Sequence, residues 1–290
     1  MDIDEIPYYQ EAQVAGDGFF NKLKRVLTSG IMFVLAFIVS NMTLQLLVAW
    51  ISRLLKYTIR FSYNQVKVFP WDYHYWSRTN VVLIFFLSPF ICLVLGLILL
   101  IVLRVYTTWA NAFRIFLFWL AVNLVNQVLT HALLSPLGSP VDRHNGLYQT
   151  FSVVGTFLWI NPTLMAIMAV GALISIMLLG IIVRDELMRY SFSKTLILNK
   201  KGMDTVVIQV FVIPVLIGAL PVMLLCSTAG IFTTVMQLAN LGVVCIGIFL
   251  MNSIGSANVR CNKTDVLNHL PVIEMLVCAT IWFAVFTYFK

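Results

Sequence analysis

Residues 81–103 read VVLIFFLSPFICLVLGLILLIVL, 23 residues without a charged side chain. As a helix rising 1.5 Å per residue, the run is about 35 Å long, enough to cross the ~30 Å hydrocarbon core of a bilayer. Further apolar runs of membrane length lie at 31–51, 114–134, 163–183, 206–227, 231–252 and 271–289. An all-α, polytopic transmembrane bundle follows, with about seven spans and a range of six to eight.

Composition supports the same conclusion. The chain is 60% hydrophobic and 11% charged, with a mean hydropathy of +0.93. A soluble domain is nearer half apolar and about a quarter charged, so this chain cannot cover itself with polar surface. Disorder needs the opposite balance. The net charge is +7, but the 19 Lys and Arg lie almost entirely between the apolar runs. There they fix topology and meet anionic headgroups rather than nucleic acid, for which no motif is present. The expected partners are the bilayer, with its anionic headgroups, and a membrane-protein partner or a second copy of the chain. Cys92, Cys226, Cys245 and Cys278 lie in apolar runs and Cys261 in a polar loop, so neither disulfides nor a cysteine zinc site is expected.

Residues 1–30 read as an acidic tail followed by an interfacial helix. Asp2, Asp4, Glu5, Glu11 and Asp17 open the chain, which lacks the basic start of a cleavable leader. Phe19, Phe20, Leu23, Val26 and Leu27 then share a face opposite Lys22, Lys24 and Arg25, the pattern of a short helix lying in the membrane plane over 19–27. Residues 31–290 form one transmembrane domain. The register of the first span extends through Arg53, Lys56 and Arg60 as one helical basic patch. Residues 61–80 read as an aromatic loop in which Trp71, Tyr73, Tyr75 and Trp76 serve as interfacial anchors. The run 151–183 is long for one crossing and short for two. Asn161-Pro162 divides it into a re-entrant half-helix and a span.

With seven spans, twelve of the 19 Lys and Arg fall on the N-terminal side: Lys22, Lys24, Arg25, Arg104, Arg114, Arg184, Arg189, Lys194, Lys200, Lys201, Arg260 and Lys263. That bias predicts a cytoplasmic N-terminus in a membrane of the bacterial inner type. A second crossing within 151–183 reverses it.

Residues 79–89 and 204–214 align without gaps at an offset of 125, matching Val81/Val206, Val82/Val207, Phe86/Phe211 and Pro89/Pro214. A three-plus-three repeat over 31–134 and 151–252, followed by a last span, inverts the second copy, as in many secondary transporters.

Span three carries the polar residues that stand out. Asn123, Asn126, Gln127, Thr130 and His131 recur at spacings of three and four, placing them on one helical face. Such a face turns into the bundle, where it lines a path for water or a polar ligand or forms interhelical hydrogen bonds. Phe118 and Leu124 are expected on the lipid side. Asn161 joins the lining candidates because a broken helix frees backbone carbonyls. Gly171 and Ser175 form a small-xxx-small packing step. Glu274 sits one turn into the last span, and Asn262-Lys263-Thr264 matches a glycosylation sequon.

Asn126-Gln127-Val128-Leu129-Thr130 resembles the His-Glu-x-x-His motif of intramembrane metalloproteases, with amides replacing the first two residues and no second histidine. Asn161-Pro162 is a second echo of that family. The resemblance spans five residues and lacks both metal ligands and the base. It therefore implies at most a degenerate membrane-embedded enzyme acting on lipid or peptide, with His131, Asp142 and His144 as its only chemistry. The leading expectation is a non-catalytic transporter-like bundle or accessory subunit, with no catalytic residue, metal or cofactor.

Overall fold

The computed structural model describes residues 19–62, 65–69, 76–106, 111–138, 150–191, 198–225, 231–255 and 272–289. Among the described residues six helices are long and apolar enough to cross a membrane, and the chain is a multi-pass membrane protein. Helix α1 (Phe19–Leu54) leads into a hairpin of β1 (Thr58–Ser62) and β2 (Gln65–Phe69). Then come α2 (Arg78–Phe85), α3 (Leu87–Val105), α4 (Asn111–Leu134), the short α5 (Thr150–Phe157) and α6 (Pro162–Met188). Helix α7 (Lys200–Val207) continues through a π turn into α8 (Ile213–Leu225), followed by α9 (Ile231–Ile254) and α10 (Val272–Phe289).

The expected in-plane helix at 19–27 is instead the first part of α1, which runs unbroken for 36 residues. Its reason is packing: Arg25, Val26, Thr28 and Ser29 are buried in the bundle rather than resting on a surface. Pro214 explains what Ser29 does there. A proline in a helix has no N–H for the carbonyl four residues earlier. That carbonyl, on Val210, instead accepts from Ser29 Oγ at 2.6 Å, and Ser29 Oγ accepts from Trp119 Nε1 at 3.0 Å. One proline thereby ties α1, α4 and the π turn Ile208–Val212 together. Phe33 and Phe211 close on the Trp119 ring at 4.9 and 4.7 Å.

The basic patch of Arg53, Lys56 and Arg60 does not form on one helix. Lys56 adopts φ 63°, while the N–H groups of Lys56 and Tyr57 donate to Arg53 and Ser52. This is a Schellman ending. Arg60 lies across from Lys67 in the hairpin. The hairpin corrects the reading of this segment as loop. Its sign was the alternation Ile59, Phe61 and Val66, Val68, with Val68 buried.

Span two breaks where Pro89 withdraws a donor: α2 stops at Phe85 and α3 begins at Leu87. The aligned segment 204–214 behaves similarly, its eight-residue α7 passing through the π turn before Pro214. Helix α1 packs on α4 and extensively on α8, and α6 packs on α9, whereas α3 and α6 only graze.

The 151–183 run resolves into the half-helix α5 and a full crossing, α6. Trp159 turns the chain at φ 54°, and Asn161 caps α6 by accepting from Thr163 N at 2.9 Å, with Pro162 in the first turn. Gly171 is exposed and Ser175 half-buried, and a Cβ at Gly171 would meet nothing within 4 Å. Close packing of α6 occurs elsewhere: a Cβ on Gly180 would lie 2.1 Å from Val244 O, and one on Gly247 2.2 Å from Met177 O. The buried stripe Ala172, Ile176, Leu179 and Val183 leads to this crossing of α6 and α9.

Candidate functional site

Helix α4 is the most buried of the six spanning helices and packs on α1, α3, α6 and α9. Its polar face is enclosed: Asn123, Asn126, Gln127, Thr130 and His131 are all buried. Phe118 and Leu124 are buried too, against the expectation of a lipid-facing side, because neighbouring helices surround α4. Opposite this polar face, α9 buries Thr233, Thr234, Gln237 and Asn240.

Two hydrogen bonds join the faces. Asn126 Nδ2 donates to Gln237 O at 2.8 Å, and Asn240 Nδ2 donates to Thr130 Oγ1 at 2.8 Å. Thr130 Oγ1 also donates to Asn126 O at 2.8 Å. The remaining amide atoms of Asn123, Asn126 and Gln127 have no protein partner. Seven buried side-chain polar atoms are unpaired among the described residues, and five belong to three amides: both polar atoms of Asn123, both of Gln127, and Asn126 Oδ1. Asn123 lies midway along α4. Donors and acceptors are both present, so the set matches water or a neutral polar group.

The other lining candidate, Asn161, is exposed at the start of α6, with its side chain used as a helix cap. Trp76 stacks on Tyr57 at 5.0 Å and Phe85 at 5.5 Å and tilts against Phe157 at 6.2 Å. This makes it part of a packed aromatic cluster. Trp71, Tyr73, Tyr75, Asp142, His144, the sequon 262–264 and the side chain of Glu274 lie outside the described residues. Among the described residues no three His, Cys, Asp or Glu converge.

Sequence reasoning missed two charged clusters at the ends of the helices. Arg114 of α4, fully buried, grips Glu186 of α6 through Nε–Oε1 at 2.6 Å and Nη2–Oε2 at 3.0 Å. It also donates to Leu103 O at 2.7 Å and Tyr106 O at 3.1 Å, satisfying the end of α3. Arg189 lies 3.3 Å from Glu186, and Tyr190 Oη donates to Glu186 Oε1 at 3.4 Å. Burial, and next the Glu186 carboxylate, push the Tyr190 phenol well above its usual range. In the second cluster, Arg184 donates to Asn252 Oδ1 at 2.9 Å and to Gly255 O, and Asn252 Nδ2 donates to Asp204 at 3.0 Å. Arg184 and Arg189 thus belong to folded structure rather than to a basic loop.

Two of the cavities among the described residues lie beside these helices. One of about 280 Å³ lies beside α5 and is lined by Phe86, Phe151, Gly155, Met165 and Met168 among others. One of about 450 Å³ lies between α1, α8 and α10. Neither is lined by the amides of α4. No family model matches the chain, and no curated protein or solved structure is significantly similar to it.

Proposed function

We propose that this is a non-catalytic, transporter-like membrane protein whose buried amide face on α4 takes water or a small neutral polar solute at mid-membrane. The observation that carries the reading is the group of five unpartnered amide atoms on Asn123, Asn126 and Gln127. Each buried amide group left unpaired costs about 1–3 kcal/mol. Three on one face, at the centre of a spanning helix, form a polar site that hydrocarbon cannot satisfy. Neutrality follows from the neighbours. The described ion pairs involve Arg114, Arg184 and Arg189, toward helix ends, and no described Asp, Glu, Lys or Arg stands on α4 or α9 within two turns of Asn123 or Asn126.

The test is stopped-flow permeability of proteoliposomes to water, glycerol and urea. Flux of at least one above that of empty vesicles is expected, falling to the empty-vesicle rate in Asn123→Leu/Gln127→Leu, with folding checked by circular dichroism. Rates equal to empty vesicles for all three solutes sink the reading. The accessory-subunit reading then gains, supported by the outward, uncontacted Gly171 of α6.

A further inference from the structure

The unpartnered buried atoms are not spread evenly along the bundle. Among the described residues, all but Thr28 Oγ1 lie on the α5 side of Trp119. Those of Asn123, Asn126 and Gln127 follow Trp119 along α4, and Thr150 Oγ1 stands at the start of α5 itself. Helix α5 packs on α4 and on the turn Ser135–Leu137 that ends it. His131, buried one turn beyond Gln127, continues the polar row toward that end. In the other direction the interior is closed. Trp119 is fully buried and its N–H is taken by Ser29. Phe118, Phe33 and Phe211 surround its ring at 5.5, 4.9 and 4.7 Å. Beyond it Ile115 is buried and Arg114 is held by Glu186.

Helix α1 supplies a second polar row. Ser29 and Phe33 both touch Trp119. Phe37, Asn41 and Gln45 follow them at steps of four, and both amides are buried. Asn123, Gln127 and His131 follow Trp119 at the same step. Rows of every fourth residue are the ridges along which packed helices interlock. The two helices run in the same direction, since Leu44 and Val48 share a core cluster with Leu124 and Val128. The polar rows therefore start from one contact and run side by side toward the α5 end of the bundle. Both polar atoms of Asn123 and of Gln127 are unpartnered, so no direct amide pair joins the rows there. Such an interface parts at little cost in hydrogen bonds, and water entering it satisfies groups that are otherwise orphaned.

We propose that Asn41 and Gln45 of α1, with Asn123, Gln127 and His131 of α4, line one entry path for water and solute that opens on the α5 side and ends blind at Trp119. The proposal rests on the reading of α4 as a site for water or a neutral solute; it adds α1 as a wall and names the open side. Successive amides of a row are about 6 Å apart along the helix axis, a step that one bridging water covers.

Full-length Gln45→Cys, Gln127→Cys and Ile115→Cys are treated with an impermeant methanethiosulfonate in intact cells and in inverted vesicles. Each position is read by peptide mass spectrometry, so the native cysteines stay in place. Only a thiolate reacts, and a thiolate forms only where water reaches it. Gln45→Cys and Gln127→Cys should react at least about tenfold faster than Ile115→Cys, which lies beyond the Trp119 floor. They should do so in one preparation only, the one that exposes the Leu54 end of α1. Protection of both equal to that of Ile115→Cys overturns the proposal, as does reaction in both preparations or reaction of Gln127→Cys without Gln45→Cys. Should a cysteine variant fail to fold, radiolytic hydroxyl labelling of the unsubstituted protein decides. His131 must then be oxidised and Phe118 spared, and the reverse overturns the path. Labelling needs no transport. The expected pattern without solute flux sinks the solute reading and leaves the path standing, whereas flux with both positions protected sinks the path alone.

Discussion

Replacing Glu186 by Leu should be among the most damaging changes in the bundle. Arg114 is fully buried, and its two short contacts to Glu186 neutralise it. Removing the carboxylate strands a guanidinium away from water, which costs about 3–5 kcal/mol. Arg189 contributes less, since its side chain is 21% exposed and its contact is 3.3 Å long. Arg114→Met is milder. Glu186 keeps Arg189 and Tyr190, so the loss is that of charged hydrogen bonds, about 2–3 kcal/mol. The double variant Arg114→Met/Glu186→Leu removes both charges together but leaves Tyr106 O without its donor, Leu103 O with only the longer contact from Arg189, and the buried Tyr190 hydroxyl without its acceptor. At about 1 kcal/mol each, its cost is about 3 kcal/mol, below the sum of the single changes. Reversible unfolding in bicelles, by steric trapping, measures all four corners of the cycle. A coupling of about 3 kcal/mol is expected, and additivity within about 0.5 kcal/mol would refute the reasoning.

Gly180→Ala places a Cβ 2.1 Å from Val244 O, so α9 must retreat about 1.3 Å to reach the 3.4 Å of an ordinary contact. The expected cost is about 1–3 kcal/mol, against a change within about 0.5 kcal/mol for Gly171→Ala, both read from thermal melts. Tyr190 should stay un-ionised where exposed tyrosines titrate, near pH 10. Because its folded pKa is raised, its stabilising contribution is intact below the unfolded value and is lost as pH climbs through the folded one. The 295 nm phenolate signal of Tyr190→Phe should therefore equal that of wild type just above pH 10; a smaller signal in the variant contradicts this. A cysteine placed at Lys200 or Lys201, both exposed, should resist impermeant thiol reagents in intact cells if the N-terminus is cytoplasmic. Ready labelling reverses that orientation.

The sequence made the spans legible because hydrophobic length is a one-dimensional property. The break at Asn161-Pro162 was legible because proline acts on its own turn. The face of α4 was legible through its spacing, though not the fact that α4 is enclosed on all sides. Phe118 and Leu124 look like lipid-facing residues until α1, α3 and α6 are known to cover them. Gly171 and Gly180 are equivalent in the sequence, and only the approach of α9 distinguishes them. Arg114 and Glu186 stand 72 residues apart, and nothing in the spacing pairs them. Each therefore reads as a residue at the end of a span, and the cluster they form depends on how α4 and α6 meet.

The enclosure of α4 has a consequence for biogenesis. Its apolar window is the weakest of the six, yet it is the helix the others surround. Its amide partner on α9 lies 111 residues downstream. At roughly 5–20 residues per second, the ribosome takes roughly 6–20 s to supply that partner. During that interval the translocon holds a segment with unsatisfied amides and a buried-to-be arginine, which partitions into lipid less readily than its neighbours. Helices α1 and α3, already made, are its only shelter. A chain halted before α9 therefore presents a half-satisfied α4 to the bilayer, the kind of intermediate on which membrane chaperones and proteases act.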